Sequence, residues 1–115
     1  MLDNTQIAEI CHAAYVTHCE VSGLPKAPAW AELSKERQDE QALFVGLIRD
    51  NHGASVVAVH EKWLEKRLSD GWTHGEKVSA KAKTHPAIAE FSSLPLHYQE
   101  QERMFHALVR ALAPA

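Results

Sequence analysis

Two helix–loop–helix patterns follow one another along this chain. In four segments, apolar residues recur at the three- and four-residue spacing of a helix face. These segments span residues 5–21, 34–50, 55–69 and, after a proline, about 96–112, and Asn51-His52-Gly53 separates the second from the third. The sequence therefore predicts a mostly α, small single domain of two pseudo-repeated halves, residues 1–52 and 53–115.

Short polar residues and glycines mark the expected ends of the helices. Asn4 or Thr5 is the expected N-cap of the first helix, and Ser34 is the expected cap of the second. Gly71 should end the third helix. Residues 72–91 show little helical periodicity and contain a glycine and a His-Pro step, so we predict a loop or a short β-hairpin there.

The two halves share landmarks when one is laid over the other. His12 falls on His60, and Tyr15 falls on Trp63. The further equivalent pairs are Gly23 with Gly71, Trp30 with Phe91, and Leu33 with Leu94. This pattern indicates a diverged internal duplication, in which Tyr15 and Trp63 take related positions around a shared groove.

Composition argues against several classes of function. The chain has 115 residues and a formal net charge of -3, whereas nucleic-acid binding usually leaves a basic footprint. No apolar run approaches the roughly 20 residues of a membrane span, and the N-terminus does not resemble a signal peptide. We therefore expect a cytoplasmic protein with neither a nucleic-acid nor a membrane partner.

The cysteines and histidines give no sign of a disulfide or a metal site. Cys11 and Cys19 lie on one predicted helix, about 12 Å apart at 1.5 Å rise per residue, which is too far for a disulfide. The 8 histidines and 2 cysteines form no cluster at metal-ligand spacing. His60-Glu61 begins like a zinc-protease motif, but Leu64 stands where the second histidine is needed. We expect reduced thiols and neither metal nor cofactor.

Two tryptophans, one on the third helix and one in the turn that ends it, suggest a site for a flat ligand. Trp63 is on the inner face of the helix, where tryptophan usually packs in the core. Trp72 lies in a glycine-flanked turn, where packing needs are weaker. A base stacked on an aromatic ring gains about 1–3 kcal/mol. We expect Trp72 to face the ligand, whereas for Trp63 the residues alone favour a core role over a ligand role.

His12 and His60 lie one helical turn before Tyr15 and Trp63. Each imidazole could donate to a ligand phosphate or ribose. Alternatively, each could be buried and satisfied by a backbone carbonyl of the following loop. The second interpretation is favoured, because the first requires a pocket that sequence alone does not reveal.

The locally basic stretch consists of Lys77, Lys81 and Lys83. Such a run is usually a solvated loop, but beside two tryptophans it could hold a diphosphate through charge-assisted hydrogen bonds. Arg37, at the start of the second helix, is expected to pair with Glu32 or Glu40 rather than with a phosphate.

Five elements of the second half occur in a specific order and spacing. They are His60-Glu61-x-Trp63, Gly71-Trp72-x-x-Gly75, His85-Pro86, Phe91-x-x-Leu94-Pro95 and the final helix. In this order they resemble the ryanodine-receptor repeat (RyR) domain, which occurs in pairs in calcium-release channels and singly in bacterial and phage proteins. The first half, from Ile7 through Trp30 to Arg37, resembles the N-terminal part of short phage-borne members.

The resemblance implies binding rather than catalysis. Paired repeats in the channels hold an adenine nucleotide against tryptophans, and prokaryotic members are associated with nucleotide signalling and defence. A copy without an effector domain is then expected to sequester an ADP-ribose or cyclic ADP-ribose type of messenger, as a phage anti-defence sponge. The expected ligand-binding residues are Tyr15, Trp30, His60, Trp63, Trp72, Lys77, Lys81 and Lys83.

The alternative function is a protein–protein interaction module, including a homodimer. Tryptophan and tyrosine are also the commonest anchors of protein interfaces. The same aromatic residues could therefore bury against a partner helix. A hydrolase acting on the nucleotide has weaker support, since no motif joins a nucleophile to a base.

Overall fold

The computed structural model describes residues 1–114, which form four α-helices and two short 3₁₀ helices. The α-helices are α1 (Asn4–Val21), α2 (Lys35–Asp50), α3 (Val56–Ser69) and α4 (Leu96–Leu112), and the 3₁₀ helices are Trp30–Glu32 and Phe91–Ser93. The mostly helical fold predicted from the sequence is confirmed. No helix in this described part of the chain combines the length and the apolar character that a membrane crossing requires.

Side-chain caps set where the helices begin. Ser34 caps α2 as predicted, because its hydroxyl accepts a backbone N–H from the first turn at 3.2 Å. At α1 the cap is Asp3 rather than Asn4 or Thr5. The Asp3 carboxylate accepts from the Gln6 N–H at 2.8 Å, and the Gln6 side chain accepts from the Asp3 N–H at 2.9 Å. This reciprocal capping box satisfies two free donors and starts the helix one residue earlier than its expected range.

Two short strands follow α3, and they pair in parallel. They are β1 (Thr73–His74) and β2 (Thr84–His85), with Thr73 opposite Thr84. The expected hairpin is therefore not formed, since a hairpin joins antiparallel neighbours. An antiparallel bridge between Ser79 and Thr84 folds the intervening residues back on themselves, so that β2 runs in the same direction as β1.

The core has two clusters of buried side chains, and Phe44 and Leu47 of α2 pack against both. The first joins all four α-helices and contains Ile7, Ala8, Cys11, Val45, Ile48, Val59, Phe105 and Val109. The second lies between α3 and the segment that follows it and contains Val56, Trp63, Trp72, Ala87, Ile88, Phe91 and Leu94. This second cluster fixes the long segment that connects α3 to α4.

The two halves anchor their loops with equivalent hydrogen bonds. His12 Nε2 donates to the Pro28 carbonyl at 2.6 Å, and His60 Nε2 donates to the Ala89 carbonyl at 2.7 Å. Each carbonyl stands two residues before a 3₁₀ helix. Both histidines thus tie down the following loop, as the favoured interpretation of the sequence predicted. The origin of the halves in a duplication stays a prediction.

Candidate ligand-binding site

A cavity of about 120 Å³ lies between α2, α3, α4 and the segment after α3. The residues of α2 that line it are Arg37, Glu40, Gln41 and Phe44, and those of α4 are Tyr98, Gln101, Glu102 and Phe105. The remaining lining residues are His60, Trp63, Val78, His85 and Ala87. In the alignment of the two halves, the four α2 residues match the four α4 residues one for one. The cavity therefore lies where equivalent helix faces of the two halves meet.

His60 is a buried imidazole held by two acceptors. Its Nδ1 donates to the Glu102 carboxylate at 2.7 Å, and its Nε2 donates to the Ala89 carbonyl at 2.7 Å. The side chain of His60 is 0% exposed and that of Glu102 is 12% exposed. Burial acts to lower the pKa of His60, but the hydrogen bond and charge of Glu102, helped by the Ala89 carbonyl, outweigh it and raise the pKa. Since both ring nitrogens face acceptors, the geometry fits a protonated ring paired with the Glu102 carboxylate.

Glu40 is engaged by two donors from α3. The indole Nε1–H of Trp63 donates to one carboxylate oxygen at 2.8 Å, and the guanidinium of Arg67 forms an ion pair with the other. The Arg67 and Glu40 side chains are 12% and 14% exposed. These contacts neutralise Glu40 and fix the orientation of the Trp63 ring at the cavity wall.

His85 is a neutral hydrogen-bond donor at the same wall. Its Nδ1 accepts the Ala87 N–H at 2.9 Å, which places the ring proton on Nε2. Its ring meets that of Trp63 edge-to-face, with centroids 4.8 Å apart. Burial, together with the positive charges of Arg67 and Arg37, lowers the pKa of His85 to about 4. The ring therefore stays uncharged at neutral pH.

Arg37 lies exposed at the edge of the cavity. The predicted pairing with Glu32 or Glu40 is wrong. Glu32 accepts the Ala29 backbone N–H at 3.3 Å, and Glu40 is taken by α3. Within residues 1–114, Arg37 forms no ion pair.

Of the expected ligand-binding residues, His60 and Trp63 line the cavity. Trp63 is 3% exposed and belongs to the second core cluster, so it serves the core and the cavity wall together. Tyr15 and Trp30 pack against the first core cluster in the other half and do not line the cavity. Tyr15 and Trp63, which the alignment predicted around a shared groove, therefore do not line one space.

Trp72 is buried, although its position in a turn had suggested a ligand-facing ring. It is 8% exposed and packs in the second core cluster with Phe91 and Leu94. The Arg67 guanidinium covers its ring at 4.4 Å from the centroid. Trp72 does not line the cavity, because this cation–π contact and the core cluster occupy it.

The three lysines lie on the covering segment, residues 76–83, which places Val78 against the cavity. Lys77 and Lys81 are exposed. Lys83 donates from Nζ to the Asp70 carbonyl at 2.9 Å and has a left-handed backbone with φ 55. None of the three lines the cavity.

Glu102 was not among the ligand-binding residues expected from the sequence, although the alignment of the halves contained a signal for it. Glu102 aligns with Gln41, and Gln41 holds His12 as Glu102 holds His60. The Gln41 amide donates to His12 Nδ1 at 3.3 Å, whereas Glu102 accepts from His60 Nδ1 at 2.7 Å. The equivalent positions therefore carry a neutral contact in the first half and an ionic one in the second.

The cavity lining offers aromatic surface and hydrogen bonds but little for covalent chemistry. Among the described lining residues there is no serine, threonine or cysteine, and both carboxylates are held by internal donors. Elsewhere, burial raises the pKa of the Cys11 thiol to about 12, so that thiol stays protonated. No group of three or more metal-binding side chains that could hold an ion occurs within residues 1–114.

This arrangement defines a small helical domain with an aromatic cavity at the junction of its halves. The model of the RyR domain family matches residues 54–113, which include α3, both strands and α4. The chain therefore belongs to the RyR domain family. None of the curated proteins matches it.

Proposed function

We propose that this RyR-domain protein is a non-catalytic binder of an adenine-containing nucleotide messenger, of the ADP-ribose or cyclic ADP-ribose type. The proposed place for the base is the cavity between α2 and α4. The observation that carries the proposal is its aromatic lining, in which Phe44, Trp63 and Tyr98 stand with the neutral ring of His85. Stacking on such rings is worth about 1–3 kcal/mol per base and suits any flat heterocycle.

The size of the cavity supports a single ring system as its occupant. Its volume of about 120 Å³ is below the range of about 300–1,000 Å³ that is usual for pockets enclosing drug-sized ligands. The sugar and phosphates of a nucleotide would therefore lie at the edge of the cavity. Arg37 is exposed at that edge.

Binding without catalysis is supported by the state of the polar groups. The carboxylates of Glu40 and Glu102 are committed to Arg67 and His60, so neither is free to act as a general base. His85 is neutral, but no hydroxyl or thiol nucleophile stands in the lining with it except the Tyr98 phenol. A paired nucleophile and base is the minimum that covalent hydrolysis needs.

The proposed biological role is sequestration of a host immune signal by a phage protein. This role follows from the family resemblance and not from the cavity. Sequestration acts by mass action, so it requires the protein in excess of the messenger and a dissociation constant below the concentration of the messenger.

Thermal unfolding against a nucleotide panel tests the proposal. The panel contains AMP, ADP, ATP, ADP-ribose, cyclic ADP-ribose isomers and cyclic di- and trinucleotides. A ligand at a hundredfold excess over its dissociation constant stabilises by about 2.7 kcal/mol, which is a clear shift in a domain of this size. Chromatography of the released ligand should recover it unchanged. The absence of a shift with every compound would contradict nucleotide binding, and recovery of a cleaved product would contradict a non-catalytic role.

The alternative, an interaction module that uses the same aromatic residues, finds less support. Trp63 and Trp72 are 3% and 8% exposed, so their rings are already covered within the chain. A concentration-dependent mass in sedimentation, together with no effect of any nucleotide, would favour this alternative.

A further inference from the structure

We infer that Arg37 is the phosphate-recognition residue of the cavity, with the Nε2–H of His85 as a second, neutral donor. The preferred ligand is then a nucleoside phosphate rather than a nucleoside. This inference rests on the proposed function and deepens it, because it names the chemical group that the edge of the cavity selects.

Both carboxylates of the lining have a cationic partner, whereas one cation has none among the described residues. Glu102 is compensated by His60, and Glu40 is compensated by Arg67. The charge of Arg37 is left over, since Arg37 has no ion-pair partner in residues 1–114. In the described part of the chain, Arg37 is therefore the cationic residue of the lining without an ionic partner, and its positive charge favours an anionic ligand at this edge of the cavity.

The guanidinium of Arg37 and the Nε2–H of His85 are both suited to bind a phosphate. A guanidinium presents a rigid fork of N–H groups that matches phosphate oxygens bidentately. His85 commits Nδ1 to the Ala87 N–H, which leaves its Nε2–H for a further acceptor. Arg37 and His85 both line the cavity, and the charge of Arg37 is close enough to act on His85. One ligand can therefore engage a cationic and a neutral donor together.

The three lysines of the covering segment lie outside the cavity lining. Lys77 and Lys81 are exposed on the covering segment and do not line the cavity, and Lys83 is tied to the Asp70 carbonyl. Lysines in this segment were the phosphate-binding residues expected from the sequence. Arg37 is better placed for that role, because it lies at the cavity itself.

Calorimetric titration with AMP and adenosine tests the inference on three proteins: the wild type, Arg37→Gln and Arg110→Gln. Arg110 is a matched control, since it is exposed near the end of α4 and outside the lining. The wild type and the control should bind AMP at least about tenfold more tightly than adenosine, which is the ratio expected for a charge-assisted hydrogen bond. Arg37→Gln should lose this preference and keep its affinity for adenosine.

Two results overturn the inference while nucleotide binding stands. One is an unchanged preference for AMP in Arg37→Gln, and the other is an equal loss of affinity for AMP and adenosine. If the wild type binds neither compound and no other nucleotide of the thermal-unfolding panel, the proposed function fails, and a titration with inorganic pyrophosphate followed by NMR decides the inference alone. Shifts of the Arg37 and His85 side-chain N–H signals would support an anion site there, and unchanged signals would exclude it.

Discussion

The Glu102 carboxylate accepts a 2.7 Å hydrogen bond from Nδ1 of His60, whose side chain is completely buried. The other ring nitrogen donates to the Ala89 carbonyl. One imidazole thus connects α3, α4 and the loop before α4, and it uses two N–H groups, which only the protonated ring possesses. The charge of this ring therefore adds to the packing of the second core cluster in holding α3, α4 and the loop together.

Replacing Glu102 with glutamine should weaken the contact with His60 while keeping a side chain of similar size at this position. A neutral His60 can still donate to the Ala89 carbonyl and accept from a glutamine amide at Nδ1, so a charge-assisted hydrogen bond is replaced by a neutral one. We expect the free energy of unfolding to fall by about 1 kcal/mol. Gln41 shows that glutamine fits beside a histidine at the equivalent place. Urea denaturation at pH 6 measures the change, and wild-type stability in Glu102→Gln would contradict an ionic pair.

The same variant should lose a pH dependence. The pKa of His60 is raised in the folded protein, so the pair stabilises fully below the ordinary value of about 6.5. Its contribution disappears as the pH rises through the raised pKa. Above pH 6.5 the stability of the wild type should therefore decline more steeply than that of Glu102→Gln. Parallel curves for the two proteins would show that His60 is not the titrating group.

His85 should produce a dependence of the opposite sign. Its pKa is lowered from 6.5 to about 4, so the neutral ring stabilises fully above pH 6.5 and this stabilisation is lost as the pH falls toward 4. His85→Asn keeps an acceptor for the Ala87 N–H, because asparagine bonds the backbone two residues on, but it does not titrate. Between pH 6.5 and 4, the wild type should lose on the order of 3 kcal/mol more than His85→Asn. Equal losses in a denaturant series would refute this prediction.

Trp63 and Trp72 should respond differently to replacement by phenylalanine. Trp72→Phe should lower stability by about 1–3 kcal/mol, since it reduces core packing and the contact with Arg67. It should leave ligand affinity unchanged, because Trp72 does not line the cavity. Trp63→Phe removes the hydrogen bond to Glu40 and part of the cavity wall, and should weaken binding of the best nucleotide about tenfold.

These affinities must be compared at a temperature at which both variants are folded, as judged by circular dichroism. Equal weakening by Trp72→Phe and Trp63→Phe would place the ligand elsewhere than in the cavity.

Gly75 should not tolerate a side chain. A Cβ atom there would lie 2.6 Å from the Thr84 Cβ, in the neighbouring strand. Gly75→Ala must displace β2, at an expected cost of about 1–3 kcal/mol. Gly53→Ala is the matched control, since a Cβ at Gly53 meets nothing within 4 Å. The midpoints of thermal unfolding should fall for Gly75→Ala alone, and equal midpoints for the two variants would contradict this packing.

The helices could be predicted from the sequence because their signals are local. The apolar spacing and Ser34 fixed the extent of α2 correctly, whereas the cap of α1 depended on the less obvious pairing of Asp3 with Gln6. The parallel pairing of β1 with β2 could not be predicted, because it arises from the folding of residues 75–83 between them.

The candidate site was less predictable than the fold, since it depends on contacts between distant segments. Trp72 follows a glycine, which suggested exposure, but Arg67 from the preceding helix covers its ring. Arg37 has acidic neighbours in sequence, yet Glu40 is drawn away by Trp63 and Arg67 of α3. Neither the contact of Arg67 with Trp72 nor the engagement of Glu40 by α3 can be predicted from spacing along the chain.

The covering segment, residues 76–83, contributes Val78 to the cavity but no residue to either core cluster. Its contact with α2 is a hydrogen bond from the Ala80 backbone N–H to the Glu36 carboxylate, near the surface. Substitutions in the covering segment should therefore cost little helix packing. Trp63, Ala87 and Phe105, by contrast, belong to the cavity wall and to the core at once, so a change of the wall at these positions is also a change of the core.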